Sequence, residues 1–134
     1  MILIDSSAFI EFLNRTGSAC DEAVERLIRS DSDCAIADIV LTEILQGIKN
    51  EREFRDVRDS LLTFHLLSLK SHESYIHAAE LHRKCRKKGL TVRSTVDLLI
   101  AQIALDHQAT LLHNDRDFEA LASVSPLKLY KITP

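Results

Sequence analysis

Short aliphatic runs, each too brief to be a buried helix, alternate along this chain with stretches whose apolar residues recur at helical spacing. Ile2 to Ile4, Leu66 to Leu69 and Thr110 to Leu112 are the clearest runs, with weaker ones at Cys34 to Ala37 and Leu127 to Ile132. Each has the length of a strand. Between them lie Ala23, Leu27 and Ile28, then Ile39, Val40, Ile44 and Ile48, then Val57, Leu61 and Leu62, then Ile76, Ala79 and Leu81. Strands separated by helices pair in parallel, and a parallel sheet needs cover on both faces. The pattern predicts an α/β fold: a three-layer α/β/α domain around a short-stranded, mostly parallel central sheet.

A chain of 134 residues suits one domain spanning 1–134 with a substantial core. With 46% hydrophobic and 28% charged residues, and only three Gly and two Pro, the composition leaves no room for a long disordered tail or a linker. Cys20, Cys34 and Cys85 are odd in number and contain no CxxC pair, which excludes a disulfide framework and a thiolate zinc site and favours a reducing cytosol. No apolar stretch approaches the ~20 residues that span a bilayer, and no basic start precedes the first run. The expectation is a soluble cytoplasmic chain without a leader or membrane contact. A net charge of −3 excludes indiscriminate polycationic binding, so contact with nucleic acid must be local.

Helix ends are also legible. Ser6 or Ser7 is placed to cap the first helix and Ser71 another, while KCRKKG ends a third with cations and Gly89 just beyond.

Four acidic residues stand out from this frame. Ligands of open α/β sheets collect beyond the carboxyl ends of the strands. Asp5 follows Ile2–Ile4 directly, and TLLHNDRDF repeats the pattern with Asp115. Asp97 opens the apolar segment STVDLLIAQIALDH and shares a narrow stripe with Ala101 and Ala104, small enough for close approach to the sheet. Glu43 lies between Ile39 and Val40 on the helical wheel, at the edge of the apolar face.

Each acid has a plainer reading. Asp5 can turn the chain or cap a helix, Asp97 completes a capping-box pattern, Asp115 and Asp117 suit a first helical turn, and Glu43 suits a solvated edge. Together they point elsewhere. Two carboxylates ~4 Å apart repel by roughly 4 kcal/mol at an effective dielectric of ~20, so a cluster needs protons or a cation. All-oxygen ligands suit a hard ion such as Mg²⁺ or Mn²⁺, which leaves positions open for phosphate oxygens and equips a site for phosphodiester hydrolysis.

LIDSS at the start, the TEIL helix, the VDLLIA helix and the late NDRDF resemble, in order and over nearly the whole chain, the PIN-domain family and specifically the VapC-type toxins of prokaryotic toxin–antitoxin pairs. The resemblance implies a Mg²⁺- or Mn²⁺-dependent endoribonuclease whose acidic quartet is Asp5, Glu43, Asp97 and Asp115. By the family pattern Asp5 and Asp97 are the direct metal ligands, while Glu43 and Asp115 complete the pocket, bind a second ion or position water. Asp117 supports the site from outside it, and Ser6 matches the hydroxyl residue that follows the first acid. The resemblance also implies a cognate VapB-like antitoxin and a homodimer, for which the aliphatic surplus between Ile39 and Leu62 offers surface. His113 departs from the family pattern, which often has Thr there. It reads as a satisfied strand-end histidine, with substrate binding as the alternative.

The run RKCRKK followed by Arg93 supplies Arg83, Lys84, Arg86, Lys87, Lys88 and Arg93, a solvated helix end that can also hold an RNA backbone beside Asp97. With few aromatics and no Trp, base stacking is not an obvious source of specificity. HESYIH places its histidines five apart, off a shared zinc-binding face. A signalling receiver fits poorly, because a single acid follows the first strand and Lys70 stands where a phosphoacceptor is needed. A catalytically silent RNA- or protein-binding module is the remaining alternative.

Overall fold

The structure is a computed structural model and describes residues 1–132. Five strands, β1 (Ile2–Ile4), β2 (Cys34–Ala37), β3 (His65–Leu67), β4 (Thr110–Leu112) and β5 (Lys128–Leu129), form one sheet in the order β3-β2-β1-β4-β5. Every pairing is parallel. The three runs at Ile2–Ile4, Cys34–Ala37 and Thr110–Leu112 are strands with those limits. They are central strands, and Leu3, Ile4, Ala35, Ile36, Leu111 and Leu112 are fully buried, which is why each reads as an unbroken apolar run.

The edges depart from expectation. The run Leu66–Leu69 is shifted to His65–Leu67, and Leu127–Ile132 contracts to Lys128–Leu129. β3 is covered poorly, with His65 and Leu66 exposed, so its apolar run does not mark its limits.

Among the described residues seven helices cover the sheet: α1 (Ser6–Leu13), α2 (Ala19–Arg29), α3 (Asp38–Leu45), α4 (Glu51–Leu61), α5 (His72–Lys87), α6 (Thr95–Asp106) and α7 (Asp117–Ser123). α1 packs on α2 and α3, and α3 on α4; α5 packs on α6 and α7, and α6 on α7. Right-handed crossovers place these two groups on opposite faces, because the chain winds from β1 through β2 to β3, then returns to the other side of β1 for β4 and β5. The three-layer arrangement follows.

Two local expectations are corrected. Asp5, rather than Ser6 or Ser7, caps α1: its backbone is extended and its carboxylate accepts the Ser7 N–H at 3.0 Å. In α5 the buried face is Ser74, Ala78, Leu81 and Cys85, a clean i, i+4, i+7, i+11 series, so Ile76 points outward and is 59% exposed. Ser71 is the N-cap of that helix by backbone but makes no side-chain cap bond. Gly89 follows the C-terminal end of α5 with φ +72°, the left-handed conformation that the helix end requires.

Candidate active site

β1 lies between β2 and β4, so the winding direction reverses at its flank and a crevice opens beyond the carboxyl ends of β1 and β4. The Asp5 N–H donates to the Leu112 carbonyl at 2.9 Å, which brings the end of β1 against the segment that carries Asp115. Asp97 reaches the same place from the first turn of α6. Ala101 and Ala104 on that helix are fully buried, and Ser94 caps it by accepting the Asp97 N–H at 3.3 Å. Asp97 therefore fulfils the local capping pattern with its backbone while its carboxyl group faces the crevice.

Carboxylate oxygens of Asp97, Asp115 and Asp117 lie within 4.8 Å of one another. The two residues from the NDRDF turn converge because the Asp117 N–H donates to Asp115 Oδ1 at 3.0 Å, tightening the chain at the start of α7. Asp117 Oδ2 in turn accepts the Arg93 N–H at 3.1 Å and draws the loop before α6 onto the turn. Asp117 thus stands in the cluster with Asp97 and Asp115, beside its expected supporting role.

Asp5 is 2% exposed. Its Oδ2 accepts the Ser7 N–H and the Ser7 hydroxyl, whereas its buried Oδ1 has no hydrogen-bond partner among the described residues. A buried carboxylate oxygen without a donor is costly unless a proton or cation meets it. Glu43, half-buried on α3, accepts the Ser6 hydroxyl at Oε1, 3.1 Å away. Ser6 and Ser7 are adjacent on α1 but about 100° apart around it, so one steadies Glu43 and the other Asp5.

The acids sense one another. Burial raises the Asp97 pKa to about 7, with further contributions from Asp5, Asp115, Asp117 and Glu43 in that order. Burial raises Asp5 as well, against the opposing Ser7 bonds. Glu43 is raised by burial and by the Asp5 charge, against the Ser6 bond. Asp5 and Glu43, though outside the close triad, therefore belong to the same electrostatic site.

A cleft of about 630 Å³ opens on this cluster and is lined in part by Arg93, Ser94, Asp97, Asp115, Arg116 and Asp117. Of the six cations expected to hold RNA, Arg93 alone lines it. Arg83 and Arg86 flank a different groove, between α5 and α6, and Arg86 Nη2 lies 3.3 Å from His82 Nδ1. Lys84, Lys87 and Lys88 are exposed around the end of α5. Arg116, which carries no helical or strand periodicity to mark it, was not foreseen as part of the cleft. His113 is satisfied at one nitrogen: its Nδ1 accepts the Asp115 N–H at 3.1 Å, and its ring lies 5.2 Å from that of Phe118. Burial lowers its pKa, against the opposing charges of Glu119, Asp5 and Asp115.

The donor set fits a hard divalent cation. Three carboxylates from separate side chains converge, a fourth offers an unpartnered oxygen, and neither Cys nor His joins the close triad. Among the described residues no helix is long and apolar enough to cross a membrane.

Comparison with known proteins agrees with this geometry. The PIN domain family matches residues 2–124. The VapC ribonuclease Mb1587 of Mycobacterium bovis is 33% identical over 129 residues, covering 96% of both chains. The ribonuclease VapC11 of Mycobacterium tuberculosis shows the same identity and coverage. The crystal structure of VapBC2 from Rickettsia felis, bound to a DNA fragment from its promoter, superposes with a TM-score of 0.74 at 24% identity, covering 97% of this chain and 98% of the other. Sequence match, sheet order and the acids gathered beyond β1 and β4 converge on one conclusion: the chain belongs to the PIN-domain family, among the relatives of the VapC ribonucleases.

Proposed function

We propose that this chain is a divalent-metal-dependent endoribonuclease that hydrolyses RNA phosphodiester bonds and serves as the toxin of a pair with a VapB-like antitoxin. The observation that carries the reading is the convergence of Asp97, Asp115 and Asp117 beside the unpartnered Asp5 Oδ1. Curated relatives of nearly equal length are named VapC ribonucleases, and solved neighbours are named as VapBC complexes. Both support the assignment.

Asp97, Asp115 and Asp117 would hold the ion with Asp5, and Mg²⁺ or Mn²⁺ is the ion that all-oxygen ligation favours. Bound there, it supplies Lewis acidity and offsets charge at the scissile phosphate. The protein's own groups do the rest. Asp5 is fixed by two bonds from Ser7, so its free oxygen keeps one direction. Glu43 uses Oε1 for Ser6 and retains Oε2 to accept a proton or orient a water. Arg93 and Arg116 flank the cleft and offer donors for backbone phosphates on either side of the cut.

In the pair, the half-buried Ile39, Leu41 and Leu45 of α3 and the 54%-exposed Leu62 after α4 offer apolar surface for an antitoxin segment or a second copy of the chain. The reading implies a cytoplasmic protein and a homodimer. Incubation of the purified chain with structured RNA and Mn²⁺ tests the activity: cleavage abolished by EDTA and by Asp97→Asn is expected, and full cleavage in excess EDTA refutes the mechanism. Metal binding without any cleavage would instead mark a silent RNA-binding module. Finding a neighbouring reading frame for a small DNA-binding protein, and co-purification of its product with this chain on co-expression, tests the pairing.

A further inference from the structure

A second cleft, of about 990 Å³, adjoins the acidic one and shares Asp115 and Arg116 with it. It forms where the two-residue strand β5 leaves the sheet edge short, between the start of α2 and the segment that follows β5. Its chemistry differs from that of its neighbour. Leu127, Leu129 and Ile132 give it an apolar floor, with Tyr130 beside them, while Arg116 and Lys131 bring cations to its walls. Phosphodiester cleavage requires neither an apolar floor nor an aromatic ring. A nucleobase, which has two apolar faces and a polar edge, uses both.

We propose that this second cleft is the subsite for the nucleotide joined to the scissile phosphate, its base packed against Tyr130 and the leucine floor and the connecting phosphate held by Arg116. The inference rests on the nuclease reading above and adds a base-binding position to it. Continuity argues for RNA as occupant: the two clefts share Asp115 and Arg116, so an RNA strand whose phosphate lies in the acidic cleft passes directly into this one. The volume lies at the upper end of the roughly 300–1,000 Å³ typical of small-molecule pockets, enough for a nucleotide. The rim also offers groups for a base edge. His113 Nδ1 already accepts the Asp115 N–H, so the neutral ring carries its proton on Nε2 as a donor, and Glu119 supplies an acceptor. Tyr130 is a specificity residue of the reaction and takes no part in bond cleavage.

The test uses the full chain, a random-sequence RNA pool with Mn²⁺, and sequencing of the cut ends. Wild type is expected to show a base preference at a nucleotide flanking the cut. Tyr130→Ala should flatten that one position and raise KM about tenfold with kcat within about twofold, the scale of losing a stacked base. Tyr130→Phe should keep both. Lys131→Glu, at an exposed position, should raise KM without altering the fold. In EDTA, RNA carrying 4-thiouridine should crosslink to the peptide containing Tyr130 and Lys131, a readout independent of cleavage that also decides the matter if Tyr130→Ala does not fold. RNA cut with an unchanged end profile and KM by Tyr130→Ala and Lys131→Glu would overturn the inference, as would crosslinks confined to other surfaces. Loss of antitoxin binding by Tyr130→Ala with RNA cleavage intact would also overturn it, marking the cleft as a peptide site. Absence of cleavage by wild type strikes the nuclease reading itself, while crosslinking at Tyr130 would still place RNA in this cleft.

Discussion

The Ser7 hydroxyl accepts the backbone N–H of Asn114 at 2.9 Å while donating its own proton to Asp5 Oδ2. One small side chain at the start of α1 thereby fixes both the carboxylate at the end of β1 and the turn after β4, reaching across 107 positions from Ser7 to Asn114. Ser7→Ala leaves Asp5 with the Ser7 N–H alone. Mn²⁺ affinity by calorimetry and kcat/KM on RNA should each fall about 10- to 100-fold, the range seen when groups that orient metal ligands are removed. The melting temperature should change by only a few degrees. Unchanged affinity and turnover would show that the clamp does not position Asp5.

Asp117 stands within the same 4.8 Å group as Asp97 and Asp115. Asp117→Asn should therefore lower Mn²⁺ affinity about tenfold or more, comparably to Asp115→Asn. An affinity loss of less than about twofold would return Asp117 to a purely supporting part, as the holder of the Arg93 N–H.

In the metal-free protein, Asp97 has a folded pKa of about 7, well above that of an unfolded aspartate. The folded state therefore binds more protons than the unfolded state between about pH 4 and pH 7, so stability in EDTA falls as pH rises through that window. Asp5 and Glu43, raised likewise, act in the same direction. Asp97→Asn should flatten this slope and stabilise the EDTA-treated protein at pH 7.5 by on the order of 1–2 kcal/mol after allowance for screening. Mn²⁺ should stabilise wild type far more than the variant. Urea midpoints across the pH range measure both effects, and a wild-type stability that rises from pH 4 to pH 7 in EDTA contradicts them.

Far from the acids, Asp106 anchors the loop between β3 and α5. Its Oδ2 accepts the Ser74 hydroxyl at 2.6 Å and the Lys70 N–H at 3.1 Å, and its Oδ1 accepts Gln102 Nε2 at 2.9 Å. Burial alone would raise its pKa, but these bonds outweigh that and hold it below the usual aspartate value. Its contribution is therefore present at neutral pH and is lost as pH falls through the depressed pKa. Asp106→Ala should cost about 2–4 kcal/mol by urea denaturation, chiefly by stranding Ser74 and Gln102, which are buried. Metal affinity should stay unchanged.

Legibility in the sequence followed burial. The limits of β1, β2 and β4 were readable to the residue because both of their faces are covered, although β2, rich in Ala, gave a weaker run, whereas the limits of the partly solvated edge strands β3 and β5 shifted. Asp5 and Asp97 were conspicuous as charges inside apolar surroundings. Asp117 was harder to place, since it opens α7 and residues two apart on a helix lie about 200° apart around it, whereas the Asp117 N–H bond to Asp115 Oδ1 tightens the turn so that both carboxylates reach one cluster. The LIDSS motif pointed to Ser6 but not to Ser7, whose partner Asn114 is set by the packing of α1 against the β4 turn. Arg116 and Tyr130 left no local signal, because neither periodicity nor capping marks a wall of a cleft. The basic run at the end of α5 was visible for its charge, yet the path of the chain after Gly89 carries Arg93, rather than the run, to the acids.

The sheet order has a final consequence for how such a protein comes to life. Asp5 and Glu43 belong to the wing built first, whereas Asp97, Asp115 and Asp117 belong to the wing that returns to the opposite flank of β1. A growing polypeptide therefore cannot assemble its acidic centre until the turn after β4 has emerged from the ribosome and β4 has docked on β1. The topology itself makes completion of the acidic site one of the last steps of folding.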